Sequence, residues 1–349
     1  MMGAAQDPSA RPGDRLSDRA PKALYVLDRE AFDLVYGPDQ QACIVEIAQV
    51  LGPAIEAREL DRHAALGEVE VLLSGWGAPL LDEALLVKMP ALRTVLYGAG
   101  AVGNFVTDAV RERGIVVSSA NDANAVPVAE YTLAVVLFSL KHGWRFARER
   151  TDPRDAARHE VPGAYGSTVG ILGLGAIGRL VRERLAPFSL RVLAYDPYCS
   201  NEDAARLHLE LVGLAELFSS SDVVSVHAPL HDGSHHLVSA ELLDAMRAGA
   251  TFVNTARGAL VDHDELARVL EARPDLQAVL DVTDPEPLAA GHLLHRLDNV
   301  VVTPHIAGSM GPECRRMGDL VVEELRHYAA GEPLEHAVDL SRLDLAARA

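Results

Sequence analysis

Short apolar runs rich in β-branched residues alternate along most of the chain with longer stretches whose apolar positions recur at helical spacing. That alternation predicts parallel strands joined by helical crossovers, and so an α/β fold. A first set of predicted strands reads ALYVL (23–27), EVLLS (70–74), TVLY (94–97) and IVVSS (115–119), with an extra strand expected near Ile55 to Leu60. A second set starts at Val169 and runs VGIL, RVLAY, VVSV (223–226), TFVNT (251–255), AVLDV (278–282) and NVVVT (299–303). Six such strands complete a doubly wound sheet. Between the sets, ANAVPVAEYTLAVVLFSLKHGWRFARER has helical spacing and can carry the chain from one domain to the next. A last helical stretch, Met317 to Ala330, is too short to fold alone and is expected to return to the first domain. The expected organisation is a disordered leader (1–21), a discontinuous substrate domain (22–122 and 306–349), and a nucleotide domain (123–305) inserted into it.

A length of 349 residues suits two domains, each with its own core, and two domains imply a cleft. The 50 acidic and 32 basic residues leave a formal charge of −18, which disfavours nucleic acid or an anionic membrane as a partner. Cys43, Cys199 and Cys314 lie far apart in sequence. They offer neither a disulfide framework nor metal-ligand spacing, so a reducing cytoplasm is the expected setting. Residues 1–21, rich in Pro, Asp, Arg and Ala, lack the apolar core of a signal peptide. The strongly apolar segment Tyr131 to Leu140 is about half the length of a membrane span. A soluble protein is expected.

The segment VGILGLGAIGRL (169–180) changes this picture most. An apolar strand runs into Gly173, Gly175 and Gly178 and then into a helix. Gly173 allows the tight turn, Gly175 lets backbone approach a pyrophosphate, and Gly178 lets the helix pack on its strand, with free amides aimed at the phosphates. The next apolar run ends in Asp196, 18 positions after Gly178, close to the spacing expected of a carboxylate that holds a ribose diol. Asp196 would repel a 2′-phosphate, and PYCSN, the residues following it, contain no Arg or Lys to accept one. NAD is therefore expected over NADP.

Three polar side chains stand just beyond the C-terminal ends of later predicted strands: Arg257 in NTARG, Glu286 in DPEP and His305 in TPHIAG. Open α/β sheets place ligands there. A planar, permanently charged guanidinium suits a substrate carboxylate and can polarise a neighbouring carbonyl oxygen. An imidazole, with an ordinary pKa of about 6.5, loses its proton too readily when buried unless a carboxylate supports it, and Glu286 is the expected partner. His231, His235 and His236 lie in a polar loop with no cysteine or acidic ligand set, so no metal is expected.

The residues GLGAIG, Asp196, HAPL (227–230), NTARGALVD, LDV with DPEP, and TPHIAG together resemble the D-isomer-specific 2-hydroxyacid dehydrogenase family, over about Asn124 to Ala330. The resemblance implies a Rossmann NAD domain inserted into a flavodoxin-like substrate domain, with the reaction in the cleft between them. Arg257, Glu286 and His305 would be the catalytic triad, reducing a small 2-oxo acid to its D-2-hydroxy acid or running the reverse. Gly173, Gly175, Ala176, Ile177, Gly178, Asp196 and Pro197 would hold the adenosine and pyrophosphate, and His227, Ala228 and Pro229 would line the adenosine side. Thr255, Ala256, Arg257, His305 and Gly308 would lie by the nicotinamide, with Asp281 on its carboxamide. Tyr97 and the amides of Gly98, Ala99 and Gly100 would bind substrate with Arg257. A homodimer built through the NAD domains is also implied.

The substrate loop departs from the family. It reads YGAGAVGNF where many members approach GxGxDxID, so the particular hydroxy acid does not carry over. Tyr97 stands where phosphoglycerate enzymes often carry arginine, and only 44 residues follow His305, which disfavours that activity. A glutamate at position 286 disfavours formate oxidation, whereas phosphite oxidation and an NADH-sensing corepressor-like protein remain as alternatives.

Overall fold

The computed structural model describes residues 19–149 and 161–341. Most of the expected leader lies outside these residues, as does Arg150 at the end of the linking stretch. The chain divides into two compact units. One comprises the described residues of Met1–Gly98, with Phe105–Ala120 and Gly318–Val338; the other comprises Ala99–Asn104, Asn121–Met317 and the described residues from Asp339.

The first unit is built on a five-stranded parallel sheet of β1 (Lys22–Val26), β2 (Gln49–Val50), β3 (Val71–Ser74), β4 (Thr94–Tyr97) and β5 (Val116–Ser119), in the order β2-β1-β3-β4-β5. This is the doubly wound order of flavodoxin-like sheets. The fifth strand is β2, not the stretch near Ile55 to Leu60. Ala57–Arg62 forms a 3-10 helix closed by Glu56 and Glu59, and Ile55 makes only an isolated bridge to Val26. Two residues at a sheet edge are too few to show a period of two, which is why pattern alone misplaced the strand. The late segment joins this unit through backbone. Ser118 bridges Ala337 antiparallel, Val338 N donates to Val117 O at 2.7 Å, and a Cβ on Gly318 would lie 2.1 Å from Val35 O.

The second unit carries seven parallel strands: β6 (Thr168–Leu172), β7 (Arg191–Tyr195), β8 (Glu210–Leu211), β9 (Val223–Val226), β10 (Thr251–Asn254), β11 (Gln277–Leu280) and β12 (Val300–Val302). Their order, β12-β11-β10-β9-β6-β7-β8, is that of a Rossmann sheet with one added strand. Six strands were expected; β8, two residues long, is the seventh. Alternate residues of single strands feed opposite cores, as a sheet covered on both faces requires. Phe252, Ala278 and Leu280 pack in one layer with Leu172 and Phe218. Val253, Val279, Val169 and Ile171 pack in the other with Val135 and Val136 of helix α1 (Asn121–Ser139). Helix α2 (Ala176–Leu185) buries Gly178, Val181 and Leu185, one stripe of an amphipathic helix.

The segment 306–317 stays with this second unit, whereas a return to the first was expected from residue 306. Buried polar groups explain the difference. The Ile306 and Ala307 amides donate to the Asp281 carboxylate, and the Ser309 amide donates to Asn124 Oδ1. Among the described residues, no single helix is long and apolar enough to cross a membrane.

Candidate active site

The glycine loop follows β6 at the point where strand order reverses, between β7 and β9. Gly173 has a φ of +95°, and a Cβ there would lie 2.7 Å from Ala228 N, so only glycine suits this turn against the strand-end segment 227–228. A Cβ on Gly178 would fall 2.0 Å from Gly173 O, which is the helix-on-strand contact the motif predicts. At Gly175, in contrast, a Cβ would meet no atom within 4 Å, so open space lies over the start of α2. Gly175 caps that helix without a side chain, and no acidic residue occupies its first turn. Unsatisfied amides, a positive dipole end and open space fit a pyrophosphate. Ala176 and Ile177 start the helix and are half-buried.

Asp196 fits the other end of a dinucleotide. Its Oδ2 accepts from Leu174 N at 2.6 Å and its Oδ1 from Tyr198 N at 2.8 Å, so the carboxylate anchors the glycine loop while each oxygen keeps an acceptor position for a hydroxyl. Pro197 and Pro229 are exposed, and Ala228 is buried. His227 is buried with Nε2 paired to Ser225 Oγ at 2.9 Å and no partner on Nδ1 among the described residues. Burial pushes its pKa down to about 3. The sign follows directly: below about pH 6.5 the unfolded chain takes up a proton that the folded ring refuses, so stability falls with pH down to about 3. Each pH unit in that window is expected to cost on the order of 1.4 kcal/mol. Melting temperature against pH should therefore fall less steeply in His227→Gln, and identical acid limbs would refute the assignment.

The three candidate groups, Arg257, Glu286 and His305, stand beyond the ends of β10, β11 and β12. His305 Nδ1 and Glu286 Oε1 are 2.7 Å apart, and both side chains are about half exposed. His305 has a φ of +56°, a left-handed conformation that strains a residue with a Cβ and persists only where its surroundings enforce it. Those surroundings centre on Asp281, 1% exposed. His305 N donates to Asp281 O at 2.9 Å and Thr303 O at 3.0 Å, and Ile306 N and Ala307 N donate to Asp281 Oδ1 and Oδ2 at 2.9 and 2.8 Å. Thr303 Oγ1 donates to Asp281 Oδ1 at 2.6 Å and lies 2.9 Å from the Tyr131 hydroxyl. The chain thus fills three of the roughly four acceptor positions of Asp281 and leaves one open. Tyr131 and Thr303 were not found from sequence. Their signal was a carboxylate closing an apolar strand, which has to be paired when buried.

Arg257 is partly buried on a loop that Asn254 shapes. Asn254, fully buried, donates to Arg257 O at 2.8 Å and accepts from Ala256 N at 3.0 Å, a support that sequence also missed. Burial lowers the guanidinium pKa, and the Glu286 charge opposes that shift. Thr255 and Ala256 are buried beside it. Gly258 brings this loop against the one carrying Glu286, because a Cβ there would lie 2.1 Å from Thr283 C. Gly258→Ala must force the two loops apart, at about 1–3 kcal/mol as for other overpacked sites. A lowered melting temperature together with a fall in turnover is expected; no change in either would show that the contact is slack.

The substrate loop divides. Tyr97 is 4% exposed, its ring centroid is 4.6 Å from that of Phe105, and burial pushes its pKa up to about 12. Its ring packs in the interior of the first unit. Gly98 is likewise enclosed, a Cβ falling 2.8 Å from Val35 Cγ1. Ala99 and Gly100 belong to the second unit. There Gly100 faces Asn124 Nδ2, while Asn124 Oδ1 holds Ser309 N at 2.9 Å and adjoins Gly308. Asn124 therefore lies beside the 99–100 turn and hydrogen-bonds the loop that follows His305.

Residues 133–307 match the family model described as D-isomer specific 2-hydroxyacid dehydrogenase, NAD binding domain. The chain is 33% identical over 297 residues to a (S)-sulfolactate dehydrogenase of Chromohalobacter salexigens, covering 82% of this chain and 94% of that one. It is 35% identical over 300 residues to a D-3-phosphoglycerate dehydrogenase of Mycobacterium tuberculosis, covering 83% of this chain and 56% of that one. Among solved structures, TT0316 of Thermus thermophilus is similar at 29% identity and a TM-score of 0.70, covering 91% of this chain and 99% of that one. The D-mandelate dehydrogenase of Rhodotorula graminis shares the fold at 24% identity and a TM-score of 0.75, covering 92% and 98%. An NAD-dependent oxidoreductase of 2-hydroxy and 2-oxo acids follows, and the chain belongs to the D-isomer specific 2-hydroxyacid dehydrogenase family.

Proposed function

We propose that this protein interconverts a small 2-oxo acid and its D-2-hydroxy acid, with Arg257, Glu286 and His305 as the catalytic groups. The observation that carries this reading is the 2.7 Å bond between His305 Nδ1 and Glu286 Oε1, on a loop locked in a left-handed turn, next to a partly buried guanidinium. When bound, NAD(H) supplies or accepts the hydride. The residues that would hold it are Gly173, Gly175, Ala176, Ile177, Gly178, Asp196 and Pro197, with His227, Ala228 and Pro229 along the adenosine, Thr255, Ala256, Arg257, His305 and Gly308 by the nicotinamide ring, and the open position on Asp281 for its carboxamide.

The protein groups divide the remaining work. Glu286 accepts a hydrogen bond from Nδ1–H of His305, which fixes the ring and leaves Nε2 to carry the proton that is exchanged. In reduction Nε2–H protonates the carbonyl oxygen; in oxidation neutral Nε2 takes the hydroxyl proton. Arg257, joined by amides of Ala99 and Gly100, holds the substrate carboxylate and draws electron density from the carbonyl oxygen. Cys43, Cys199 and Cys314, all free, support a cytoplasmic setting, and family membership supports a homodimer that sedimentation would test.

The substrate is found by following NADH oxidation with glyoxylate, hydroxypyruvate, pyruvate, phenylpyruvate and longer 2-oxo acids. NAD reduction with 3-sulfolactate and 3-phosphoglycerate belongs in the same screen, since relatives carry those names, with phosphite as the outlier. Turnover with one small 2-oxo acid is the expected result. NADH binding with no turnover on any of them would overturn the reading in favour of a nucleotide-sensing protein.

A further inference from the structure

Two opposite charges bracket one residue of the glycine loop, Leu174. Leu174 N donates to Asp196 Oδ2 at 2.6 Å, and Leu174 O accepts from Arg179 Nε at 2.9 Å. The turn after β7 folds back on the same place, with Tyr198 N donating to Asp196 Oδ1 and Cys199 N to Asp196 O. The Cys199 thiol lies within electrostatic reach of both Arg179 and Asp196. Arg179 is exposed, stands in the first turn of α2 and is tethered by Nε. Its two Nη groups make no hydrogen bond or ion pair among the described residues. A cation in the first turn of α2 thus stands across Leu174 from the carboxylate that would receive the adenosine ribose. Inspection of PYCSN alone missed it, because the helix supplies it.

We propose that Arg179 is a latent recognition element for a nucleotide 2′-phosphate, and that the charge of Asp196 is what turns the site toward NAD. The proposal rests on the reading of the glycine loop as an NAD site. An anion placed at the ribose 2′ position meets repulsion from Asp196 and attraction from a guanidinium already oriented by the loop. Removing the first leaves the second in control.

Calorimetric titration with NADH and NADPH tests this without reference to turnover. Wild type is expected to prefer NADH. Asp196→Asn keeps an acceptor for Leu174 N and is expected to bind NADPH about tenfold tighter than wild type or better, as a charge-assisted hydrogen bond to phosphate allows. Adding Arg179→Gln should abolish that gain, and adding Arg179→Lys should keep part of it, since the charge remains and the planar fork does not. Asp196→Ser serves as a second background should the asparagine variant melt early. A gain that survives Arg179→Gln, or no gain in either background while NADH still binds, overturns the proposal. Wild type that binds neither nucleotide overturns the NAD reading itself, and the proposal with it.

Discussion

Replacing His305 with asparagine is expected to lower turnover by about 10² to 10⁴-fold while NADH affinity stays near that of wild type. Asparagine is chosen for the backbone. His305 sits at a φ of +56°, and asparagine tolerates the left-handed region better than most residues with a Cβ. The hydrogen bonds from residues 305–307 to Asp281 then persist, so a loss of rate reports the missing proton carrier and not a collapsed loop. His305→Ala removes the same proton with less tolerance for the turn, and should melt lower than the asparagine variant. Glu286→Gln keeps a partner for Nδ1 but removes its charge, so its loss should be smaller. Steady-state kinetics with a calorimetric NADH titration check all three. Near-normal turnover of the asparagine variant would remove His305 from the chemistry.

Arg257→Lys is expected to lower kcat/KM by about 10² to 10³-fold, the range found when one oriented donor to a developing oxyanion is removed. Charge alone does not rescue it. The guanidinium occupies a partly buried position where burial opposes its charge and Glu286 favours it. An ammonium there loses its proton more readily and offers a point where a carboxylate needs a fork. The Arg257 loop is held by Asn254 through two hydrogen bonds to backbone, so the lysine variant should keep its melting temperature. Both KM and kcat should change, because the proposed role has the same group bind the carboxylate and act on the carbonyl oxygen. A lysine variant within threefold of wild type would place the anchor elsewhere.

The nucleotide half of the protein was legible before any coordinates. Gly173 and Gly178 announce themselves because a Cβ at each would block a turn or a helix contact, and Gly175 because open space lies over it at the helix start; such constraints act over a few residues. Asp196 follows from spacing along one strand–helix–strand unit. Arg257, Glu286 and His305 were singled out because each stands just beyond the C-terminal end of a strand, where open α/β sheets place ligands. The two short strands β2 and β8 and the segment 306–317 were not legible, since two residues show no period and domain membership depends on distant partners.

Local pattern thus determined the α/β class and the dinucleotide loop, and it singled out the side chains proposed to react. Tertiary structure alone decided what holds them: Asp281 buried under three donors and forcing His305 into a left-handed turn, Asn254 shaping the arginine loop, Gly258 pressed on Thr283, Arg179 set across Leu174 from Asp196, and Tyr97 turned inward. The reason is physical. Periodicity and turn chemistry act between neighbours in the chain, whereas a buried polar group is satisfied by whichever donor or acceptor the fold brings within about 3 Å, and that pairing exists only once the strands are side by side.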